Sequence, residues 1–204
     1  DDKIVGCFAD LVKKKDLPKR TEAVVALAQT SAPIARAALA EIAAADGEVE
    51  TRARATAAIG GDPKYKDVLM SLLSHDEKGI RAAAATGLGG HKDRSIIDAL
   101  IDRATNDQEG DVRAAALVAV KSSSASKAQD MVCKAMLEDE SPAVRSAAIR
   151  SFKGTKRESA VACLRTKAFK EETDAGVRDD LLAVLKSSPR DSAAAVLCDA
   201  IPFW

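Results

Sequence analysis

Aromatic side chains are scarce in this chain, since only 3% of its 204 residues are Phe, Trp or Tyr. Strands favour aromatic and β-branched residues, whereas the apolar residues here are dominated by Ala, Leu and Val. Ala is the strongest helix former, and its small side chain lets helices pack closely. The composition therefore predicts an all-α protein.

The chain also lacks a net charge, because 31 Lys and Arg residues are balanced by 31 Asp and Glu residues. No overall field therefore favours a polyanion such as nucleic acid. Its charge-free stretches are much shorter than the roughly 20 apolar residues that a membrane-spanning helix needs. We expect neither a nucleic-acid partner nor a membrane span.

One pattern repeats along the chain at intervals of 29 to 33 residues, and each copy is anchored on an arginine. An apolar residue stands seven places after every such arginine, on the same helical face as the residues three and four places after it. An aspartate stands four to six places before it, as expected for a turn that leads into a helix. The arginines are Arg20, Arg52, Arg81, Arg113, Arg145 and Arg178, and the aspartates are Asp16, Asp46, Asp76, Asp107, Asp139 and Asp174.

Each repeat is predicted to contain a first amphipathic helix, called A, and a second helix, called B, whose first turn carries the arginine. The A helices are predicted near 3–15, 33–45, 64–74, 93–105, 126–138, 157–170 and 190–200. The B helices are predicted near 19–29, 49–60, 78–88, 110–121, 142–153 and 176–187, two of them ending at glycine pairs. Because no long linker interrupts the array, we expect a single solenoid domain over 1–204.

The repeated arginine is predicted to have a structural role. Its stem lies on the core stripe, so its guanidinium group needs acceptors, which turn carbonyls and an aspartate of the same or an adjacent repeat supply. The alternative is a row of guanidinium groups that bind phosphates, although the accompanying aspartates oppose it.

Residues 107–117, with the sequence DQEGDVRAAAL, resemble HEAT repeats, particularly the short form found in phycobilin lyases. The resemblance covers nearly the whole chain and is clearest in the last four B helices, which have Ile or Val before the arginine. The first two depart from it, with Lys19 and Thr51 in that position. The resemblance implies a right-handed α-solenoid of about six HEAT-like repeats, but it says little about function.

In HEAT proteins the B helices line a concave groove, so the residues one, five and eight places after each arginine are predicted to face it. The first half of this surface is small and nearly uncharged, whereas the second half is basic. A basic patch beside an acidic stretch favours a protein partner of mixed charge over a polyanion, unless the cations serve only solubility. The predicted partner-binding residues are Thr86, Val118, Lys121, Arg150, Lys153 and Lys186.

We therefore expect a non-enzymatic scaffold or adaptor that binds a protein or peptide partner. HEAT-repeat di-iron hydroxylases use His-Glu dipeptides, but neither His75 nor His91 precedes a Glu, and both are interpreted as turn residues. No Cys-x-x-Cys pair is present, and the aromatic, basic face of HEAT-like DNA glycosylases is missing. We expect no catalytic residue, metal or cofactor, and an enzyme or enzyme subunit of the chromophore-lyase type stays the alternative.

The repeat register places Cys133 and Cys163 at core positions of A helices, whereas Cys198 faces outward and Cys7 lies near one end. Stacked helices stand about 10 Å apart, which is too far for a disulfide between unmatched positions. Four free thiols are therefore predicted, and these favour a reducing compartment. We expect a cytoplasmic protein, with an exported mature protein as the alternative because the chain lacks an initiating Met.

The last predicted A helix has no B helix after it. Pro202 is predicted to end this helix, and Phe203 and Trp204 follow. The two aromatic residues are predicted to fold back as a cap on the open end. The alternatives are a chain that continues further, or a tail that docks into a second molecule and gives self-association through the C-terminal end.

Overall fold

The structure is a computed structural model that describes residues 2–45, 47–121, 126–153, 162–164 and 172–187. Within these ranges all regular secondary structure is helical, as the composition predicts. None of the described helices is both long and apolar enough to cross a membrane.

Five A helices and six B helices have described bounds. The A helices are α1 (Asp2–Val12), α3 (Pro33–Ala45), α5 (Lys66–Leu72, preceded by a 3₁₀ turn at Pro63–Tyr65), α7 (Arg94–Asn106) and α9 (Ser126–Glu138). The B helices are α2 (Arg20–Ala28), α4 (Val49–Ala58), α6 (Lys78–Gly87), α8 (Gly110–Lys121), α10 (Pro142–Ser151) and α11 (Ala175–Lys186). The largest difference from the predicted bounds is at the end of α1, predicted at 15 and observed at Val12. Residues 162–164 are also helical, whereas the helix predicted near 190–200 lies outside the described residues.

The described helices stack as a two-layered α-solenoid. Each A helix packs on the B helix that follows it, and α2, α4, α6, α8, α10 and α11 pack side by side in chain order. Apolar residues of the repeat pattern fill the space between the layers, and Leu69, Leu88 and Leu117 are fully buried. Each buried side chain of this size contributes about 1.5–3 kcal/mol to folding. The core is therefore continuous from repeat to repeat.

Glycines end two of the B helices, as the sequence predicts. Gly61 and Gly90 have φ angles of 76° and 90°, in the left-handed region that a helix terminus commonly uses. Gly60 has a second role, because a Cβ atom there would lie only 2.7 Å from the Cα atom of Gly87. The backbone just after α4 therefore touches the end of α6 at a point where no side chain fits.

The repeated arginines from Arg20 to Arg145 form a ladder that joins each repeat to the next, whereas Arg178 donates to the carbonyls of Glu172 and Thr173 in its own turn. In Arg113, whose side chain is 8% exposed, Nε and Nη2 donate to the Asp139 carboxylate at 2.9 and 2.8 Å. Its Nη1 donates to the backbone carbonyl of Asp107 at 2.9 Å. Arg81 binds Asp107 in the same bidentate manner. The predicted structural role is confirmed, and the acceptor carboxylate belongs to the following repeat.

Three pairings differ from the predicted aspartate partner, and the first is that of Arg20, whose Nη1 lies 3.8 Å from Oε2 of Glu48. Arg145 donates to Glu172 at 2.6 and 2.8 Å, whereas the predicted partner Asp174 instead accepts the Val177 N–H at the start of α11. Arg52 faces His75, with 2.9 Å between Nη1 and Nε2. For Arg52 and Arg145 the reason is geometric, because the partner is the residue whose side chain also accepts the N–H two residues later: His75 in one case and Glu172 in the other.

The pairing of Arg52 with His75, one rung of the arginine ladder, leaves one hydrogen-bond donor without an acceptor. The Glu77 N–H donates to Nδ1 of His75 at 3.0 Å, while the Arg52 guanidinium faces Nε2. A neutral imidazole has only one acceptor nitrogen, so it satisfies only one of these two donors. A carboxylate in the same place, such as that of Asp107, accepts from both the arginine and the turn N–H.

Hydrogen bonds from the arginines also lower the pKa values of two carboxyl groups in the ladder. Burial alone would raise the pKa of Asp107, but the hydrogen bonds from Arg81 and the Glu109 N–H lower it below its ordinary value. The pKa of Glu172 is lowered in the same way by Arg145, against the effect of its burial. Both carboxylates are therefore ionised rungs at neutral pH.

The prediction of four free thiols is wrong. Cys133 of α9 and Cys163 form a disulfide, with 6.0 Å between their Cα atoms. The prediction applied the spacing of helix axes to unmatched positions, but side chains one register position apart on facing helices approach much more closely than the axes do. The argument for a reducing compartment therefore fails. Cys7 is a free, exposed thiol, as predicted, and Cys198 lies outside the described residues.

Candidate partner-binding surface

The solvent-facing side of the B helices, here called the B-helix face, carries all six predicted partner-binding residues. All six are exposed: Thr86 on α6, Val118 and Lys121 on α8, Arg150 and Lys153 on or just after α10, and Lys186 on α11. The prediction that the residue one place after each repeated arginine faces the groove is wrong for Ser146. This residue is only 8% exposed, in the packed layer formed by α8, α10 and α11.

The middle of the B-helix face contains an open pocket of about 560 Å³, here called the central pocket. Val118, 53% exposed, is its largest lining side chain, and Thr86 of the preceding B helix also lines it. The Thr86 hydroxyl donates to the Ala82 carbonyl at 2.9 Å, so its hydrogen is already engaged. The other lining residues are small: Gly89, Gly90, Ala114, Ala115, Ala119 and Ala147. The central pocket is therefore apolar and shaped for contact with a small apolar group.

Three lysines follow the central pocket along the same face and are here called the lysine row: Lys121, Lys153 and Lys186. Each stands eight places after the ladder arginine of its repeat, at or just beyond the C-terminal end of a B helix. Val118 and Lys121 are three residues apart on α8, so the pocket wall and the first lysine lie one helical turn apart. The structure thus brings the apolar and basic parts of the predicted site together.

Arg150 differs from the lysine row because it already has a partner. Its Nε atom lies 3.6 Å from Oδ2 of Asp180 on α11. Both side chains are partly exposed, so the pair contributes little to stability. The sequence grouped Arg150 with the lysines because position alone does not show which cation meets a carboxylate of the next repeat.

The N-terminal part of the B-helix face is less neutral than predicted. Thr21 and Val25 line a second opening of about 510 Å³ together with Glu22, Glu50 and Arg54. Arg54 Nε donates to the Glu50 carboxylate at 2.8 Å across one helical turn. The i, i+4 spacing of these two residues was the sequence signal for this pair.

A third opening, of about 330 Å³, lies on the turn side of the ladder and is polar. Its charged lining residues include Arg81, Arg103 and Asp107, which are already bonded or close to one another. In the part of the chain that the structure describes, no three His, Cys, Asp or Glu side chains cluster as metal ligands would. Neither this opening nor the central pocket offers an evident set of metal ligands.

Two overlapping segments, residues 37–121 and 97–186, match the family of HEAT repeats. The chain belongs to the HEAT-repeat family. No curated protein sequence matches it. The HEAT assignment agrees with the arginine-anchored helix pairs described above.

Solved structures with a similar fold include both engineered and natural proteins. An engineered protein from the Northeast Structural Genomics Consortium aligns with a TM-score of 0.55 and 19% identity, over 95% of this HEAT chain and 97% of its own. A second engineered protein from the same consortium has a TM-score of 0.51 and 16% identity, with 90% of this chain and 97% of that protein covered. Human deoxyhypusine hydroxylase in complex with glycerol has a TM-score of 0.50 and 15% identity, with 92% of this chain and 74% of the hydroxylase covered. At such low identities the similarity concerns the fold alone.

Proposed function

We propose that this HEAT solenoid is a non-enzymatic scaffold or adaptor that binds a protein or peptide partner across its B-helix face. The observation that carries the proposal is the central pocket, where Val118 is 53% exposed among glycines and alanines. Small side chains let the backbone of a partner approach closely, and repeat proteins commonly use such extended faces for recognition.

The side chains of the central pocket support binding rather than chemistry. Its lining consists of Gly, Ala, Val and Thr, none of which is a general acid, a general base or a metal ligand. Burying an exposed Val contributes about 1 kcal/mol or slightly more, so a useful affinity requires contacts along several B helices. This requirement favours a macromolecular segment over a small metabolite.

The alternative is an enzyme or enzyme subunit of the chromophore-lyase type. The structural similarity to human deoxyhypusine hydroxylase shows only a shared fold, and neither histidine of this chain precedes a glutamate. A coloured adduct or a bound cofactor in the protein purified from its source would favour this alternative over the scaffold.

Site-specific photocrosslinking in a native extract tests the proposal. A photoreactive phenylalanine analogue at Val118 is expected to capture a discrete protein, because this side chain faces the partner. The matched control is Leu137 on the A helix α9, which is 38% exposed but lies away from the B-helix face. Capture of the same proteins from both positions, or capture from position 118 that Thr86→Asp in the same pocket does not weaken, contradicts the proposal.

A further inference from the structure

We propose that the partner segment is acidic, and that its carboxylates contact the lysine row while an apolar side chain occupies the central pocket. The inference rests on the proposed function and names the chemistry of the partner. The partner segment is an extended stretch of protein that crosses α8, α10 and α11.

The lysine row is not explained by helix electrostatics. A lysine near a helix C-terminus is favourable because of the helix dipole, and this applies equally to all six B helices. Yet the last turns of α2, α4 and α6 carry no basic residue, whereas α8 and α11 end on Lys121 and Lys186. The cations are thus grouped on the half of the face that begins at the central pocket.

The lysine row is also not used to join repeats. Three other lysines bridge one repeat to the next, such as Lys13 with Glu41 at 2.7 Å and Lys78 with Glu109 at 3.0 Å. Among the described residues, none of the ion pairs engages Lys121, Lys153 or Lys186, and all three side chains are exposed. Their charges are therefore available to a ligand.

Among the described residues of α8 and α11, the carboxylates stand away from the lysine row. Asp180 is occupied by Arg150, and Asp179 stands seven residues before Lys186 on α11, which corresponds to about 10 Å along the helix. Asp111 stands ten residues before Lys121 on α8, which corresponds to about 15 Å. The acidic residues thus lie towards the other end of the same helices, and the row forms a positive edge.

The spacing of the row indicates the form of the partner. Packed helices are about 8–10 Å apart, so the lysines of successive B helices advance by a similar step. A polyproline II segment presents the same face every three residues and rises about 3.1 Å per residue, which gives about 9 Å per step. Carboxylates at positions i, i+3 and i+6 of such a segment match the three lysines.

The proposal is tested by measuring the binding of labelled synthetic peptides to the full chain by fluorescence anisotropy. The probe peptide carries one Leu followed by Glu at every third position in a Pro- and Ala-rich background. A peptide of the same composition with adjacent Glu residues tests spacing, and one with Lys in place of Glu tests charge. We expect the probe to bind most tightly, and to bind less tightly when salt is raised from about 50 to 200 mM.

The protein variants separate the lysine row from general charge. Each of Lys121→Gln, Lys153→Gln and Lys186→Gln is expected to weaken probe binding about two- to five-fold, and the triple variant about ten-fold or more. The control triple variant Lys14→Gln, Lys92→Gln and Lys134→Gln removes three exposed lysines elsewhere and is expected to bind normally. An equal loss in both triple variants overturns the proposal.

Four other binding results would overturn the inference. If the probe does not bind, or the Lys-containing peptide binds as well, the inference is wrong. If a neutral Leu peptide binds in a manner that Val118→Asp abolishes while the lysine variants have no effect, the inference fails and the proposed function stands. If a single-stranded oligonucleotide of equal charge binds more tightly than the probe and ignores Val118→Asp, the partner is a nucleic acid and the inference is overturned.

Discussion

Removing the Arg113 side chain is the most direct perturbation of the ladder. Arg113 and Asp139 have side chains that are 8% and 11% exposed, so Arg113→Met leaves a nearly buried carboxylate without its partner. It also leaves the Asp107 carbonyl without the guanidinium donor. Breaking a buried pair in this way costs about 3–5 kcal/mol, and the residual exposure puts the expected loss near the lower value, about 3 kcal/mol.

Arg113→Glu is expected to cost more than Arg113→Met. It places a third carboxylate beside Asp139 and Glu140, whose Oε1 lies 3.4 Å from Arg113 Nη2 in the parent. For a chain of this length, a loss of about 3 kcal/mol lowers the melting temperature by about 6–12 °C. Calorimetry measures this shift, and hydrogen exchange of α8 and α10 localises it, because solenoids need not unfold in one step.

Two further variants make the measurement interpretable. Arg54→Met removes an arginine from an exposed pair with Glu50, with side chains 58% and 60% exposed, and is expected to leave the melting temperature almost unchanged. The double variant Arg113→Met with Asp139→Met removes both buried charges and is expected to be more stable than Arg113→Met alone. If Arg113→Glu melts like the parent, the structural role of the ladder is refuted.

Two ionised carboxylates, the histidine beside Arg52 and the disulfide give three more predictions. The pKa values of Asp107 and Glu172 are lowered in the folded state, so their contribution to stability is present above their ordinary pKa values of 3.8 and 4.5 and is lost as the pH falls below them. Equal free energies of unfolding at pH 3 and pH 6, measured by denaturant titration, would contradict this. His75→Asp completes the rung with Arg52 and is expected to raise the melting temperature by about 2–4 °C, whereas a decrease would show that the imidazole is preferred. Reduction of the disulfide, which spans 30 residues, is expected to cost about 3–4 kcal/mol in the parent and nothing in Cys133→Ser; two alkylatable thiols at 133 and 163 in the unreduced, denatured protein would refute the bond.

The sequence by itself determined the helices and their order. Every B helix begins near a repeated arginine, and apolar residues follow at positions that share one helical face, so the signal is local and recurs in each repeat. The exposure of Thr86, Val118 and Lys121 followed from the same register. Residue spacing within one helix is sufficient for these conclusions because helix geometry is fixed.

Only the tertiary structure decided which side chains meet between repeats. Arg145 binds Glu172 rather than Asp174, and Arg150 binds Asp180, because these contacts depend on how successive helices are offset and on where each turn directs its side chains. The Cys133–Cys163 disulfide has the same origin. A periodic sequence specifies the repeat, but the relation between neighbouring repeats arises from packing, and small differences in that relation select one partner over another.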